Sequence, residues 1–169
     1  LLAHCLMHAD KDPSYFVGEI ARGFAAHAHL GKSDVFVLEG DEYPSSNWDE
    51  RSKFLHYNPR NVLLTSATHD HVNVYPTHED YLRPFKQLIS IVPKEGMLVV
   101  NDEPFARAVA ADFGGKRVEY GLHESNEWHA ANIVYGLPTT FDLIHKGKKV
   151  AALTTKLLGA HNIENIIGI

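Results

Sequence analysis

The chain has a single cysteine, no long apolar run, no excess of basic charge and no internal repeat. Cys5 alone cannot close an internal disulfide, which fits a reducing, cytoplasmic setting. No stretch approaches the roughly 18 apolar residues of a membrane span, which argues against a membrane partner. Sixteen Lys and Arg stand against 21 Asp and Glu, a net charge of −5, so nucleic acid finds no electrostatic footprint. The phosphate-loop pattern Gly-x-x-x-x-Gly-Lys-Ser/Thr occurs nowhere. Leu1–His8 is broken by His4 and His8 and has no basic leader, so it does not read as a signal peptide. With no initiating methionine, and with an apolar tail from Asn162 to Ile169, both ends read as cuts through a longer protein.

What is present is ordinary globular composition. At 169 residues, 44% of them hydrophobic, the chain has length for about one domain and enough surface to bury a real core. Protonating all 12 histidines would carry the net charge from −5 to +7, so the balance is sensitive to pH.

Three apolar runs, Asp34–Glu39, Asn61–Thr65 and Gly96–Asn101, have no polar alternation and predict strands buried on both faces of a parallel sheet. Helical patterns alternate with them. Leu2, Cys5, Leu6 and Ala9 follow amphipathic spacing, which makes Cys5 a small core residue. Thr77 caps a helix that turns Tyr81, Phe85, Leu88 and Ile89 inward and that Pro84 should kink or shorten. Asp102 caps a third helix, running to Phe113 and stopped by Gly114-Gly115. Residues 1–115 therefore read as a parallel α/β unit. Residues 116–158 read as a small antiparallel subdomain with strands at Trp128–Tyr135, Thr140–Ile144 and Lys148–Leu153, the last two joined by a tight turn at Lys146-Gly147. Residues 159–169 open a final helix near Ala160-His161-Asn162.

Ligands of α/β sheets bind beyond the carboxyl ends of strands, so polar residues there are the first candidates. One strand end carries Glu39, Asp41 and Glu42; another carries His69-Asp70-His71. Carboxylates and imidazole suit a divalent cation such as Mg²⁺ that keeps waters for phosphate. Solvated loop residues explain either cluster equally well when it is taken alone. His4 and His8 share a helix face but lack a third ligand.

The stretches Leu38-Glu39-Gly40-Asp41-Glu42-Tyr43 and Arg51-Ser52-Lys53-Phe54, with Asp70-His71 and His161-Asn162-Ile163-Glu164-Asn165, resemble the central domain of the Mur ligase family. The resemblance spans nearly the whole chain. It implies an α/β fold of the phosphate-loop nucleoside-triphosphatase type: a parallel sheet flanked by helices, with a small antiparallel sheet near the C-terminal end. It also implies an ATP-dependent ligase that joins UDP-N-acetylmuramate to an amino acid or peptide through an acyl phosphate, with ATP and Mg²⁺ as cofactors and further N- and C-terminal domains of the same protein as partners. In the family pattern Glu39 and His71 hold magnesium, with Asp70 beside them as a catalytic group. His161, Asn162 and Asn165 lie against adenine and ribose. Glu42 and Arg51 contact substrate, a role that a surface ion pair rivals. Lys86 falls where some members carry a carbamylated lysine and reads here as a solvated helix lysine; His27 and His29 fall in a variable surface segment.

The sequence departs from the pattern after the second strand, where Ser66, Thr68 and Asn73 replace Asn, Glu and Asp and remove two carboxylates. The phosphate loop that should precede Leu1 lies outside the sequence, so the chain alone is expected to be inactive. A metal-dependent hydrolase built on Glu39, Asp70 and His71, or a non-catalytic module of the same fold, are the competing readings.

Overall fold

A computed structural model describes all residues, 1–169. Helix α1 (Leu2–His8) opens the chain and leads to strands β1 (Ser14–Phe16), β2 (Ala28–His29) and β3 (Phe36–Leu38). These three form a small sheet of order β2-β1-β3, with β1 parallel to β3 and antiparallel to β2. A hairpin follows, β4 (Pro44–Ser46) and β5 (Asp49–Ser52), then a 3₁₀ turn at Lys53–His56. The rest of the chain builds the main sheet: β6 (Asn61–Leu64), α2 (His78–Ile91), β7 (Met97–Asn101), α3 (Pro104–Val109), β8 (Lys116–Gly121), β9 (Trp128–Val134), β10 (Thr139–His145), β11 (Lys148–Thr155) and α4 (Ala160–Gly168).

The main sheet has six strands in the order β11-β10-β9-β8-β7-β6. Strands β6 to β9 run parallel and β9 to β11 antiparallel. The antiparallel strands near the C-terminal end are as expected, and they continue the parallel sheet rather than standing apart from it. β8, where no strand was expected, makes the join. Its Lys-Arg-Val-Glu-Tyr-Gly sequence is half polar and hides the signal, because Lys116 and Arg117 are exposed while Tyr120 and Gly121 are buried.

Alternation along β7 sorts the core into two faces. Leu98 and Val100, both fully buried, pack with Tyr81, Phe85, Leu88 and Ile89 of α2 and Ala106 and Val109 of α3. Val99 points the other way, toward Tyr120, Phe141 and the α4 residues Ile163 and Ile167. The sheet is thus covered by α2 and α3 on one face and by α4 on the other, which places the N-terminus of α4 beside the carboxyl ends of β6 and β7.

Four local expectations are corrected. β3 is not buried in the main sheet: it lies at the edge of the small one, which leaves Val35 43% and Phe36 59% exposed. Cys5 is exposed, because α1 turns Ala3 inward instead. Helix α2 is not shortened at Pro84 and runs through it for 14 residues; proline removes one backbone donor, and the buried ring keeps its place on the packed face. The cap of α3 is Glu103, whose carboxylate accepts from Phe105 N and Ala106 N at 3.0 and 2.8 Å, and the helix is only six residues long. Thr77 does cap α2, accepting from Asp80 N at 3.1 Å, and Lys146-Gly147 does make the turn between β10 and β11 with both residues at positive φ.

Candidate functional site

Two groups of polar side chains stand at strand ends. The first surrounds a cleft of about 500 Å³ at the carboxyl ends of β6 and β7, lined by Thr65, Ser66, Asn101, Asp102, Glu103 and Pro104 and closed by His161, Glu164 and Asn165 of α4. That volume falls in the range of small-molecule pockets. His161 and Asn165 sit four residues apart, so one helix face presents both. Asn162 points elsewhere: its amide donates to Leu158 O at 2.7 Å and lies 3.0 Å from His161 Nε2.

The floor of this cleft is tied together by hydrogen bonds. Glu103, besides capping α3, accepts from Ala67 N at 3.1 Å and so fastens the loop after β6 to α3. Asp102 accepts from Asn126 Nδ2 at 2.6 Å. It fits only because residue 121 is glycine: a Cβ there would collide with the Asp102 carboxylate. The Glu164 carboxyl is pushed above the usual carboxylate range, by burial first and then by the negative charge of Asp102. A cleft with three carboxylates and amide groups favours a ligand edge that donates hydrogen bonds.

The second group lies between the hairpin and the loop after β6. His71 adopts a left-handed backbone, φ 56°, and its ring is gripped from both sides. Nε2 lies 2.9 Å from Glu42 Oε1 and Nδ1 lies 2.9 Å from the Tyr43 hydroxyl. Asp70 is exposed; its Oδ1 accepts from His71 N at 2.6 Å and lies 3.8 Å from Nδ1. Beneath them Tyr75 bonds Ser52 Oγ at 3.1 Å and the Glu42 carbonyl, and Tyr81 reaches Glu42 Oε1 at 3.4 Å. Burial raises both tyrosine hydroxyls above their ordinary range, with the charge of Glu42 adding to it, so both remain donors.

The expected residues therefore divide. Glu42, Asp70 and His71 come together, and His161 and Asn165 share the cleft. Glu39, exposed at the end of β3, is held elsewhere, its Oε2 accepting from Gly18 N at 2.6 Å. Arg51 forms a two-pronged pair with Asp49, Nε–Oδ1 2.9 Å and Nη2–Oδ2 2.7 Å, which lowers the Asp49 carboxyl well below its usual range. That pair is exposed on the hairpin. No set of three His, Cys, Asp or Glu is placed to hold a metal ion by itself. The donors present still suit magnesium, a hard ion satisfied by one or two protein groups, with water and phosphate oxygens for the rest. Thr65, Asn101, Asp102, Glu103 and Glu164 were not expected in a site. Asn101-Asp102 carries the same signal as Glu39, polar residues directly after an apolar strand, but Asp102 also suits a helix cap and is easily read that way.

The fold and the cleft define an α/β domain with an open, polar cleft at the carboxyl ends of its strands. Residues 22–168 match the Mur ligase middle domain, and the chain belongs to the Mur ligase family. It is 31% identical over 153 residues to the UDP-N-acetylmuramate–L-alanyl-γ-D-glutamyl-meso-2,6-diaminoheptandioate ligase of Haemophilus influenzae, covering 90% of this chain and 34% of that protein. It is also 31% identical over 169 residues to the UDP-N-acetylmuramate–L-alanine ligase of Hydrogenobaculum, covering 99% and 36%. Among solved structures it is similar to the UDP-N-acetylmuramate:L-alanyl-γ-D-glutamyl-meso-diaminopimelate ligase of Neisseria meningitides, with TM-score 0.88, 28% identity, and 99% of this chain and 54% of that chain covered. The chain spans about a third of the length of the curated relatives it matches.

Proposed function

We propose that this chain is the nucleotide-handling part of an ATP-dependent ligase that joins UDP-N-acetylmuramate to the peptide L-alanyl-γ-D-glutamyl-meso-diaminopimelate. The observation that carries the reading is the cleft at the ends of β6 and β7, where His161 and Asn165 face Thr65, Ser66 and Asn101. Amide side chains both donate and accept, so Asn101 and Asn165 can bond a purine edge, and the raised Glu164 carboxyl can bond an amino group or a ring nitrogen according to its protonation. Residues 1–115 and 116–158 together make the platform, and 159–169 brings the nucleotide-contacting side chains to it.

In this reaction class a substrate carboxylate takes the γ-phosphoryl group of ATP, and an amine then displaces phosphate from the acyl phosphate. Magnesium, when bound, neutralises the crowded phosphate oxygens. His71, with Asp70 beside it, would hold one such ion and Glu39 a separate one, with the rest of each shell from phosphate and water. Arg51 and Glu42 stay at the substrate side as polar groups of the hairpin and its base. The L-alanine ligase of Hydrogenobaculum, matched over nearly the whole chain, supports a second reading in which the amine is free L-alanine.

Titration of the chain with Mg-ATP, followed by amide ¹H–¹⁵N spectra, tests the nucleotide site. Shifts gather at Thr65, Asn101, His161 and Asn165, and Asn165→Ala weakens them. Shifts confined to the groove between α2 and α3, around Lys86 and Asp112, would overturn it.

A further inference from the structure

We propose that Asp102 binds a ribose hydroxyl of the nucleotide in the cleft, and that Asn126, buried behind it in the loop between β8 and β9, is the positioning residue that holds its carboxylate for that contact. The inference rests on the reading of the cleft as a nucleotide site. It adds which side chain takes the sugar and what fixes that side chain.

Asp102 follows β7 directly and stands two residues before Pro104, where an acid would ordinarily turn back to cap the helix. Glu103 does that instead, and Asp102 is drawn the other way. Its Oδ2 accepts from Asn126 Nδ2 at 2.6 Å and from His123 N at 3.4 Å. Oδ1 accepts from no protein group, so a carboxylate that lines the cleft keeps one oxygen free. A carboxylate only accepts, and its ligand must therefore donate. On a purine nucleotide the donors are the ribose hydroxyls and the exocyclic amino group. Asn101 and Asn165, which both donate and accept, already suit the base edge. In other α/β nucleotide-binding folds an acidic side chain takes a ribose hydroxyl for the same reason.

Asn126 is 4% exposed, and its side-chain amide is satisfied at both ends. Nδ2 donates to Asp102 and, at 3.0 Å, to the His123 carbonyl, while Oδ1 accepts from Arg107 Nη2 at 3.0 Å. The amide fits only this way round, because a flip would face its oxygen to a carboxylate and its NH₂ to a guanidinium. Arg107 is held in turn by Glu119 Oε2 at 2.7 Å, and Arg117 pairs with Glu119 Oε1 at 3.2 Å. The row Arg117, Glu119, Arg107, Asn126, Asp102 thus ties β8, α3 and the loop before β9 to the end of β7. The backbone of Asp102 is fixed as well, its N–H donating to the Tyr120 carbonyl at 2.8 Å. Gly121 leaves the room in which the carboxylate lies. Asp102 is therefore set in place before any ligand arrives, which spares the ligand the cost of ordering it.

The test titrates the full chain with three nucleosides and follows its amide ¹H–¹⁵N spectrum: adenosine, dideoxyadenosine, which lacks both ribose hydroxyls, and purine riboside, which lacks the exocyclic amino group. Adenosine shifts His161 and Asn165, and dideoxyadenosine binds about tenfold more weakly. Asp102→Ala abolishes this preference. Asn126→Ala narrows it, whereas a merely structural role would weaken both nucleosides alike and leave their ratio as it was. That last result would overturn the positioning role. Equal affinity of the parent chain for adenosine and dideoxyadenosine overturns the sugar contact, and this measurement stands even if a variant fails to fold. A loss of affinity for purine riboside that disappears in Asp102→Ala would assign Asp102 to the base and overturn it as well. If adenosine shifts neither His161 nor Asn165, the nucleotide reading of the cleft fails and takes this inference with it.

Discussion

Glu164 shows how a single side chain carries a cost that the cleft imposes. Burial and the nearby Asp102 raise its carboxyl above the ordinary value of 4.5, so between that value and the raised one the folded chain binds more protons than the unfolded chain. Stability contributed at this position is therefore highest in acid and falls as pH rises through that interval. Glu164→Gln removes the ionising group: thermal denaturation at pH 7 should show a higher midpoint than the parent, the difference vanishing near pH 4. An equal gain at both pH values would mean that the charge is not the cause. Arg51 makes the opposite point. It lies in one of the stretches that carry the family resemblance, yet its guanidinium is spent on Asp49, two residues away, and spacing alone could not distinguish that pair from a substrate contact.

At the scale of elements, the helices follow local chemistry closely. Thr77 Oγ1 accepts from Asp80 N, and Glu79 and Asp80 add negative charge to the first turn of α2, where the helix dipole favours it. Thr77→Ala should lower unfolding free energy by about 1 kcal/mol in urea denaturation, through loss of an exposed cap and no change in packing. A loss above about 3 kcal/mol would point to packing instead. The α3 cap was misplaced by one residue because Asp102 and Glu103 are both acceptors ahead of Pro104. What decides between them is distant: Asn126 takes the Asp102 carboxylate, and Glu103 is left to bond both the helix and Ala67 N. β8 was missed for a related reason, since half of it faces solvent and its pattern resembles a polar loop.

For the molecule as a whole, the six-stranded sheet sets two helices on one face and one on the other, and this brings α4, last in the chain, to the ends of strands formed much earlier. The cleft that results is acidic and has no lysine or arginine in its lining. No Gly-x-x-x-x-Gly-Lys-Ser/Thr pattern stands elsewhere in the sequence to cradle phosphates with backbone amides. The chain by itself should therefore bind Mg-ATP more weakly than about 1 μM, measured by calorimetry, a limit near −8 kcal/mol. Micromolar or tighter binding would show that the base and sugar contacts alone suffice.

The sequence by itself determined the α/β class, the helices and most strands, and the family, because these depend on periodicity, capping and short contiguous motifs that act over a few residues. It also pointed to Glu42, Asp70, His71, His161 and Asn165 as residues of interest. Only the tertiary structure decided that His71 is paired with Glu42 and Tyr43 and not with Glu39, that Arg51 is paired with Asp49, and that Asn101, Asp102 and Glu164 share one cleft. Hydrogen-bond partners across the fold are chosen by distances that strand order and helix packing create, and those distances are not written in the spacing of residues along the chain.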